Sequence, residues 1–418
     1  MDKLTVTGGR RLEGQLRVHG SKNAVLPVIA ATVLNGGKNV IRNCPNIKDV
    51  YSSIEILRYL GCEAELKDNV LTVDSTQMTG DTIAEELMRK MRSSIIFMGA
   101  ILSRCGKAKI SMPGGCEIGL RPIDLHMRAL KQMGVKISES HGYIHCSADK
   151  LSAEEIHLEF PSVGATENIM LASVFVKGST IITNAAREPE IVDLQDCLNA
   201  MGARVSGAGG SVIRIDGVEK LHDVQYTVMP DRIVAGTYLV CAAITKGSVI
   251  VDGVRPEHIE AMLSVLREMG SSVYVSTNSV VCIPGKTIKP ADYIRTMPYP
   301  GFPTDIQAPF MALASVAQGT TIFAENIFES RYKHVQELLR MGADIKTDGR
   351  VAVVRGVNKL TGANVAAGDL RGGAALVAAA LAAEGVSEIG NVEYIDRGYE
   401  NIEKNLSLLG AKIKRVKS

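Results

Sequence analysis

Apolar and polar positions along the chain follow one pattern, and the pattern recurs six times. Arg58-Tyr59-Leu60-Gly61-Cys62, Lys131-Gln132-Met133-Gly134-Val135 and Asn199-Ala200-Met201-Gly202-Ala203 are three copies of it. Arg267-Glu268-Met269-Gly270-Ser271, Leu339-Arg340-Met341-Gly342-Ala343 and Ser407-Leu408-Leu409-Gly410-Ala411 are the other three. The glycines stand 73, 68, 68, 72 and 68 residues apart. Each follows a stretch with one apolar face and precedes strict alternation, as in Ala343-Asp344-Ile345-Lys346. That order predicts an amphipathic helix closed by a glycine cap and followed by a strand. Roughly 25 residues earlier stands a second glycine in each copy, at 37, 106, 178, 247, 319 and 385. These are expected to close a second helix, such as Asn168–Lys177 or Arg232–Lys246, that is apolar nearly all round and therefore internal. A short β-rich run follows, as in Thr180-Ile181-Ile182 or Val249-Ile250-Val251.

One repeat thus reads strand, apolar helix, strand, amphipathic helix, strand, strand. The sixth runs out at Ser418 before its last strand. Leu4-Thr5-Val6 matches Leu71-Thr72-Val73, the closing strand of the first repeat, so the N-terminal segment is expected to complete the C-terminal one. This predicts an α/β chain of two domains with three βαβαββ repeats each. The first spans residues 22–229, and the second joins residues 1–21 to 230–418. The crossings near Gly20–Lys22 and Met229–Asp231 are hinge candidates.

Composition removes several function classes. Among 418 residues there is no Trp, aromatics make up 4%, and the formal net charge is +2, so neither nucleic acid nor an anionic membrane is an expected partner. The N-terminus Met1-Asp2-Lys3-Leu4-Thr5-Val6 lacks the apolar core of a signal peptide, and the Ala-rich run Ala374–Ala383 is too short to span a bilayer. Eight cysteines without a Cys-x-x-Cys pair, and eight histidines without ligand spacing, point to a reducing cytoplasm and no metal site.

Three features carry candidate chemistry. Pro113-Gly114-Gly115-Cys116-Glu117-Ile118-Gly119-Leu120-Arg121-Pro122 reads as a loop with a thiol near its centre and a guanidinium at its end. Cations recur at loop-to-helix boundaries: Lys22, Lys48, Arg92, Arg121, Arg187, Arg232, Arg255, Arg331, Arg371 and Arg397. Any one of them is what a solvated loop would carry, but the set suits a multiply anionic ligand. In Pro303-Thr304-Asp305-Ile306-Gln307 a capping box of Thr304 with Gln307 is expected, placing Asp305 in the first turn.

These residues resemble the UDP-N-acetylglucosamine enolpyruvyltransferases (1-carboxyvinyltransferases) of peptidoglycan synthesis. The resemblance covers the whole chain. It rests on Gly20-Ser21-Lys22-Asn23-Ala24, Pro113-Gly114-Gly115-Cys116, Arg121-Pro122-Ile123-Asp124-Leu125-His126 and Ser162-Val163-Gly164-Ala165-Thr166. Ala186-Arg187-Glu188-Pro189-Glu190-Ile191, Phe302-Pro303-Thr304-Asp305 and Ile395-Asp396-Arg397-Gly398-Tyr399-Glu400 complete it. It implies two inside-out α/β barrel domains and transfer of the enolpyruvyl group of phosphoenolpyruvate to the 3-hydroxyl of UDP-N-acetylglucosamine. That reaction is the first committed step of peptidoglycan synthesis, on which wall building, cell shape and cell division depend. No metal or cofactor is implied. Lys22, Arg121 and Arg397 would hold the phosphate, Arg331 and Arg371 the carboxylate, with Asn23 beside them. Arg92, Arg121, Pro122, Ile123, Asp124, Leu125, Ser162, Val163, Gly164, Asp305 and Ile327 would line the nucleotide-sugar site. Cys116 would be the general acid and form a covalent adduct with phosphoenolpyruvate, and Asp305 would take the proton from the attacking hydroxyl. The resemblance also implies alkylation of Cys116 by fosfomycin.

Two departures from the family pattern stand out. Gly372-Gly373-Ala374 replaces a more polar run and is expected to loosen a helix start, and Glu117 follows the cysteine directly. The nearest alternative is 3-phosphoshikimate 1-carboxyvinyltransferase, which shares the fold but lacks the cysteine loop and typically has Ser where this chain has Asn23.

Overall fold

The computed structural model describes residues 2–112 and 123–417. Cys116, Arg121 and Pro122 lie outside the described residues. The chain divides into two compact units, residues 20–112 with 123–229, and residues 2–19 with 230–417, each around its own apolar core.

In the unit of residues 20–229, the first sheet places Val224–Thr227, Lys38–Arg42, Val70–Asp74 and Glu63–Lys67 side by side. The third runs Glu155–His157, Ser179–Thr183, Val212–Asp216, Arg204–Ser206. In both, the leading strand is parallel to its neighbour and the remaining pairs are antiparallel. Among the described residues the second sheet has three strands, and the place of its leading strand is marked by a parallel bridge between Thr82 and Lys109.

The unit containing residues 230–417 repeats the plan in three four-stranded sheets. Its first sheet takes its leading strand, Glu13–Arg17, from the N-terminal segment. Its last places Lys3–Thr7 between Val386–Gly390 and Lys412–Val416, antiparallel to both. The N-terminal strand therefore completes the sixth repeat, as its likeness to the first repeat's closing strand predicts. A feature the linear order conceals is that the first repeat of the unit 20–229 has no strand before its helix. Val224–Thr227, from that unit's far end, fills the place.

The apolar helices are buried. Every residue of Arg232–Ile244 is inside, and so are most of Lys22–Ala31, Thr304–Ala314 and Leu370–Ala382. Each fully buried Leu, Ile or Val contributes about 1.5–3 kcal/mol, so these helices anchor the two cores. The sequence places two of them with shifted ends. Asn168–Lys177 is in fact Val163–Ser173, begun by a Ser162 cap, and Arg232–Lys246 stops at Ile244. The outer helices, such as Lys48–Tyr59 and Glu260–Glu268, bury one face only.

The six glycines that end the outer helices all have φ between 89° and 99°. In five of the six copies the residue after the glycine donates back into the last helical turn, as Ala343 N does to Leu338 O at 3.1 Å. This is a left-handed cap that a Cβ would strain. The second glycine set is less uniform. Gly106 caps Phe97–Cys105 directly, whereas Gly37 and Gly247 lie beyond their helices without positive φ. There a Cβ would collide with Asp223 Oδ1 and Leu12 O respectively. Gly372 and Gly373 do not loosen their helix. Asp369 accepts from Arg371 N and Gly372 N, both at 3.0 Å, and the missing Cβ atoms let His334 and Ile395 pack close.

Candidate active site

In the unit of residues 230–417, the helices Arg232–Ile244, Thr304–Ala314 and Leu370–Ala382 pack together. Asp231 and Asp369 cap the first and last of these through two backbone N–H groups each. The middle helix has no side-chain cap, so the expected capping box does not form. Thr304 turns its hydroxyl away and donates it to Glu325 Oε2 at 2.9 Å. Asp305 does sit in the first turn. Its two oxygens accept from two arginines, Oδ1 from Arg331 Nη2 at 3.2 Å and Oδ2 from Arg371 Nη2 at 3.3 Å. Both arginine side chains are 3% exposed and Asp305 is 26% exposed, so the carboxylate lies at the accessible edge of a buried cationic pair.

Arg331 Nη2 also donates to Thr304 O at 3.0 Å. Burial opposes the charge of Arg371, but Tyr399, Asp305 and Asp231 around it outweigh that and hold it above its ordinary range. The Tyr399 ring lies 5.5 Å from the guanidinium carbon, and its hydroxyl is fixed by Thr237 at 2.9 Å. Among the described residues, Arg331 Nε and Arg371 Nε and Nη1 are buried donors without an acceptor in hydrogen-bonding geometry. A site with surplus guanidinium donors suits an anionic ligand. His334, buried behind Arg331, is kept from protonating by burial and by that guanidinium, against the opposing pull of Asp369.

Ile327 is half-buried, and its N–H donates to Glu325 Oε1 at 2.8 Å. Arg397 is half-buried in the turn after Val392–Ile395, next to Asp396, which Arg415 grips with two bonds of 2.7 and 3.0 Å.

In the unit of residues 20–229, Ser21 caps the helix that Lys22 opens. Lys22 Nζ meets Asp49 Oδ2 at 2.7 Å, with both side chains nearly buried. Asn23 follows on the same first turn, half-buried. Arg92 opens the short turn Arg92–Ile96. Ile123 precedes the helix Asp124–Gln132, where Asp124 faces Arg128 at 3.7 Å near the surface and Leu125 is half-buried. Ser162 caps Val163–Ser173 by accepting from Ala165 N. A Cβ on Gly164 would come within 3.1 Å of His126 Cε1, so the glycine lets the imidazole pack on the helix start. His126 is driven down to about 4 by burial, aided by Arg92 and opposed by Asp124.

The structure therefore brings Asp305, Arg331 and Arg371 into direct contact, and it places Arg92, His126, Asp124 and the Ser162–Gly164 turn in one neighbourhood. Asp49, Asp231, Glu325, His334 and Asp369 escaped the sequence reading. Asp231 and Asp369 carry an ordinary N-cap signal one or two residues before a singled-out arginine. The others are isolated acids, or a lone histidine, with no local signature. Six of the described cysteines have thiols raised by burial: Cys62, Cys146 and Cys282 to about 11, Cys241 to about 12, with Cys105 and Cys197 also raised. Among the described residues no group of three His, Cys, Asp or Glu is placed to hold a metal ion, and no helix is long and apolar enough to cross a membrane.

Residues 6–406 match the family described as EPSP synthase (3-phosphoshikimate 1-carboxyvinyltransferase). A UDP-N-acetylglucosamine 1-carboxyvinyltransferase 2 of Caldanaerobacter subterraneus subsp. tengcongensis is 53% identical over 416 residues, covering all of both chains. The chain belongs to the UDP-N-acetylglucosamine 1-carboxyvinyltransferase family. A 1-carboxyvinyltransferase 1 of this family from Symbiobacterium thermophilum is 52% identical across 99% of this chain and 95% of its own. Among solved structures, the enolpyruvyl transferase NikO of Streptomyces tendae superposes with a TM-score of 0.90 at 25% identity, covering 100% of this chain and 99% of its own. The EPSP synthase of Acinetobacter baumannii gives 0.74 at 19% identity over the full length of both chains, a likeness of fold alone. The two-domain inside-out α/β architecture is thus that of the 1-carboxyvinyltransferases, with buried helices within each unit and sheets around them.

Proposed function

We propose that this chain transfers the enolpyruvyl group of phosphoenolpyruvate to the 3-hydroxyl of UDP-N-acetylglucosamine and releases phosphate. One observation carries the reading: identity of 47–53% over essentially the whole chain with relatives that bear the name of this activity. The arrangement around Asp305 supports it. The acceptor oxygen adds to C2 of phosphoenolpyruvate while C3 gains a proton. Phosphate then leaves C2 as C3 gives a proton back, which regenerates the enol ether. Addition needs a base for the hydroxyl and an acid for C3, with cations to balance substrate charge.

Asp305 is the base in this reading, and Cys116, which also takes phosphoenolpyruvate as a covalent adduct, is the acid. Asp305 now takes one Nη2 donor of each arginine, beside the donors left without an acceptor that a substrate carboxylate would take. Binding of that carboxylate to Arg331 and Arg371 loosens the hold on Asp305 and frees its lone pairs for the hydroxyl proton. Lys22, Arg121 and Arg397 take the phosphate, with Asn23 beside them. Arg92, residues 121–125, Ser162–Gly164 and Ile327 receive the nucleotide sugar. The domain division at residues 22 and 229, a cytoplasmic setting, and the place at the head of peptidoglycan synthesis belong to the same reading.

The test is phosphate release with both substrates, and with each alone. Release only with the pair supports the assignment. Equal or better release with 3-phosphoshikimate as acceptor overturns it. Asp305→Ala should lower kcat by about 10²–10⁴-fold while nucleotide-sugar binding survives in part. Near-normal turnover in that variant removes Asp305 from the mechanism. Fosfomycin should add once, on the peptide containing Cys116, and Cys116→Asp should keep activity and resist it.

A further inference from the structure

Glu325 follows the strand Thr320–Ala324 and is 1% exposed. A buried carboxylate is costly unless its oxygens are satisfied, and these are. Oε1 accepts from Thr296 Oγ1 at 2.9 Å, Ile327 N at 2.8 Å and Phe328 N at 3.0 Å. Oε2 accepts from Thr304 Oγ1 at 2.9 Å. The backbone around it is tied as well, with Glu325 N donating to Arg350 O at 2.8 Å and Asn326 N to Thr296 Oγ1 at 2.9 Å.

These four donors come from three separate segments. Thr296 begins the stretch that leads to the Thr304–Ala314 helix, Thr304 is that helix's first residue, and Ile327 and Phe328 lie on the way to Arg331. One anion therefore fixes the backbone that leads into Asp305 and the backbone that leads into Arg331, one of the two arginines that hold Asp305. The spacing explains why Thr304 does not cap its helix: its hydroxyl is used as a tether.

We infer that Glu325 is a positioning residue for the transfer reaction, setting the placement of Asp305 through Thr304 and of Ile327 through its N–H. The inference rests on the function proposed above. Without the carboxylate, four donors lose their acceptor and the Asp305 turn is free to shift. A displacement of about 1 Å at a reacting group costs up to about 100-fold in rate.

The experiment compares Glu325→Ala, Glu325→Gln and Thr304→Val with the wild-type chain. It measures kcat, KM for each substrate, thermal midpoint, and amide exchange of the segment 325–331. Thr304→Val deletes one tether and no buried charge. It should lower kcat about tenfold or more with a midpoint near wild type and little change in KM for phosphoenolpyruvate. Glu325→Gln keeps an acceptor for Ile327 and Phe328, so it should recover much of the activity that Glu325→Ala loses. Glu325→Ala should speed exchange at residues 327 and 328 specifically. A kcat for Thr304→Val within twofold of wild type overturns the inference, and so does an activity loss in the Glu325 variants that merely follows the loss of folded protein. If the wild-type chain shows no transfer, the functional reading fails by itself. The exchange rates then decide the positioning role: unchanged exchange at 327 and 328 in Glu325→Ala overturns it.

Discussion

His126 is neutral for two reasons that act together. Asn168 Oδ1 accepts from Gly99 N at 2.7 Å, so its Nδ2 must be the donor toward His126 Nδ1 at 2.8 Å. That nitrogen therefore carries no proton, and burial resists adding one. A histidine whose folded value lies near 4 and whose ordinary value is 6.5 binds fewer protons folded than unfolded between those pH values. Stability contributed by its neutrality is complete above pH 6.5 and is lost as pH falls toward 4, by roughly 3 kcal/mol. His126→Gln should flatten the acid side of a stability-versus-pH curve, read as the difference from wild type so that His334 cancels. An unchanged slope would show that His126 does not titrate this way. Glu167 has the opposite sign. Burial, then Glu190 and Glu188, lift its carboxyl well above the ordinary 4.5, so the folded chain holds a proton that the unfolded chain releases. Stability falls as pH rises above 4.5, and Glu167→Gln should remove that decline, as urea unfolding at pH 5, 7 and 8 would reveal.

At the scale of elements, glycine serves two different needs, and substitution separates them. At Gly342 the backbone has φ of 89° and the nearest atom to an added Cβ is Thr361 Oγ1 at 3.7 Å, so there is room and only the backbone is strained. Gly342→Ala should cost about 1–2 kcal/mol. At Gly356 an added Cβ would stand on the carbonyl oxygen of Ala317, 1.6 Å away. Gly356→Ala must displace backbone and should cost about 3 kcal/mol or more. Thermal midpoints of the two variants should fall in that order, and the reverse order would refute the distinction. The helix beginning at Leu370 teaches a related lesson. Its glycines read as a weakness in a linear sequence, yet they sit where neighbouring side chains leave no space for anything larger.

At the scale of the whole molecule, the N-terminal residues are an interior part of the last sheet. Lys3–Thr7 is the central partner that joins Lys412–Val416 to Val386–Gly390. Deleting residues 2–7 leaves the C-terminal strand without a neighbour and opens the core at Leu4 and Val6, both fully buried. The unit containing residues 230–417 should then lose cooperative unfolding, while the unit of residues 20–229, with its own core, keeps a transition. Differential scanning calorimetry would register this as the loss of the transition of the unit containing residues 230–417, and an unfolding profile with the same transitions and total enthalpy as the wild-type chain would contradict it.

The sequence by itself determined the repeat, its period and the alternation of inner and outer helices with strands, because helix and strand periodicities and a left-handed glycine cap are local properties of the chain. It also marked Lys22, Asp305, Arg331, Arg371 and Arg397, since each sits at or beside a helix boundary where a charge meets backbone polarity. The place of Lys3–Thr7 was legible in its likeness to the first repeat's closing strand, whereas only the tertiary structure decided that Val224–Thr227 and Glu13–Arg17 supply the leading strands of sheets far away in sequence. It alone decided that Thr304 tethers rather than caps, that Asp49 is the counter-ion of Lys22, and that Glu325 organises the ground around Asp305. For these last three the physical reason is the same. A buried charge is tolerated only where partners surround it, and those partners arrive from distant segments that folding brings together.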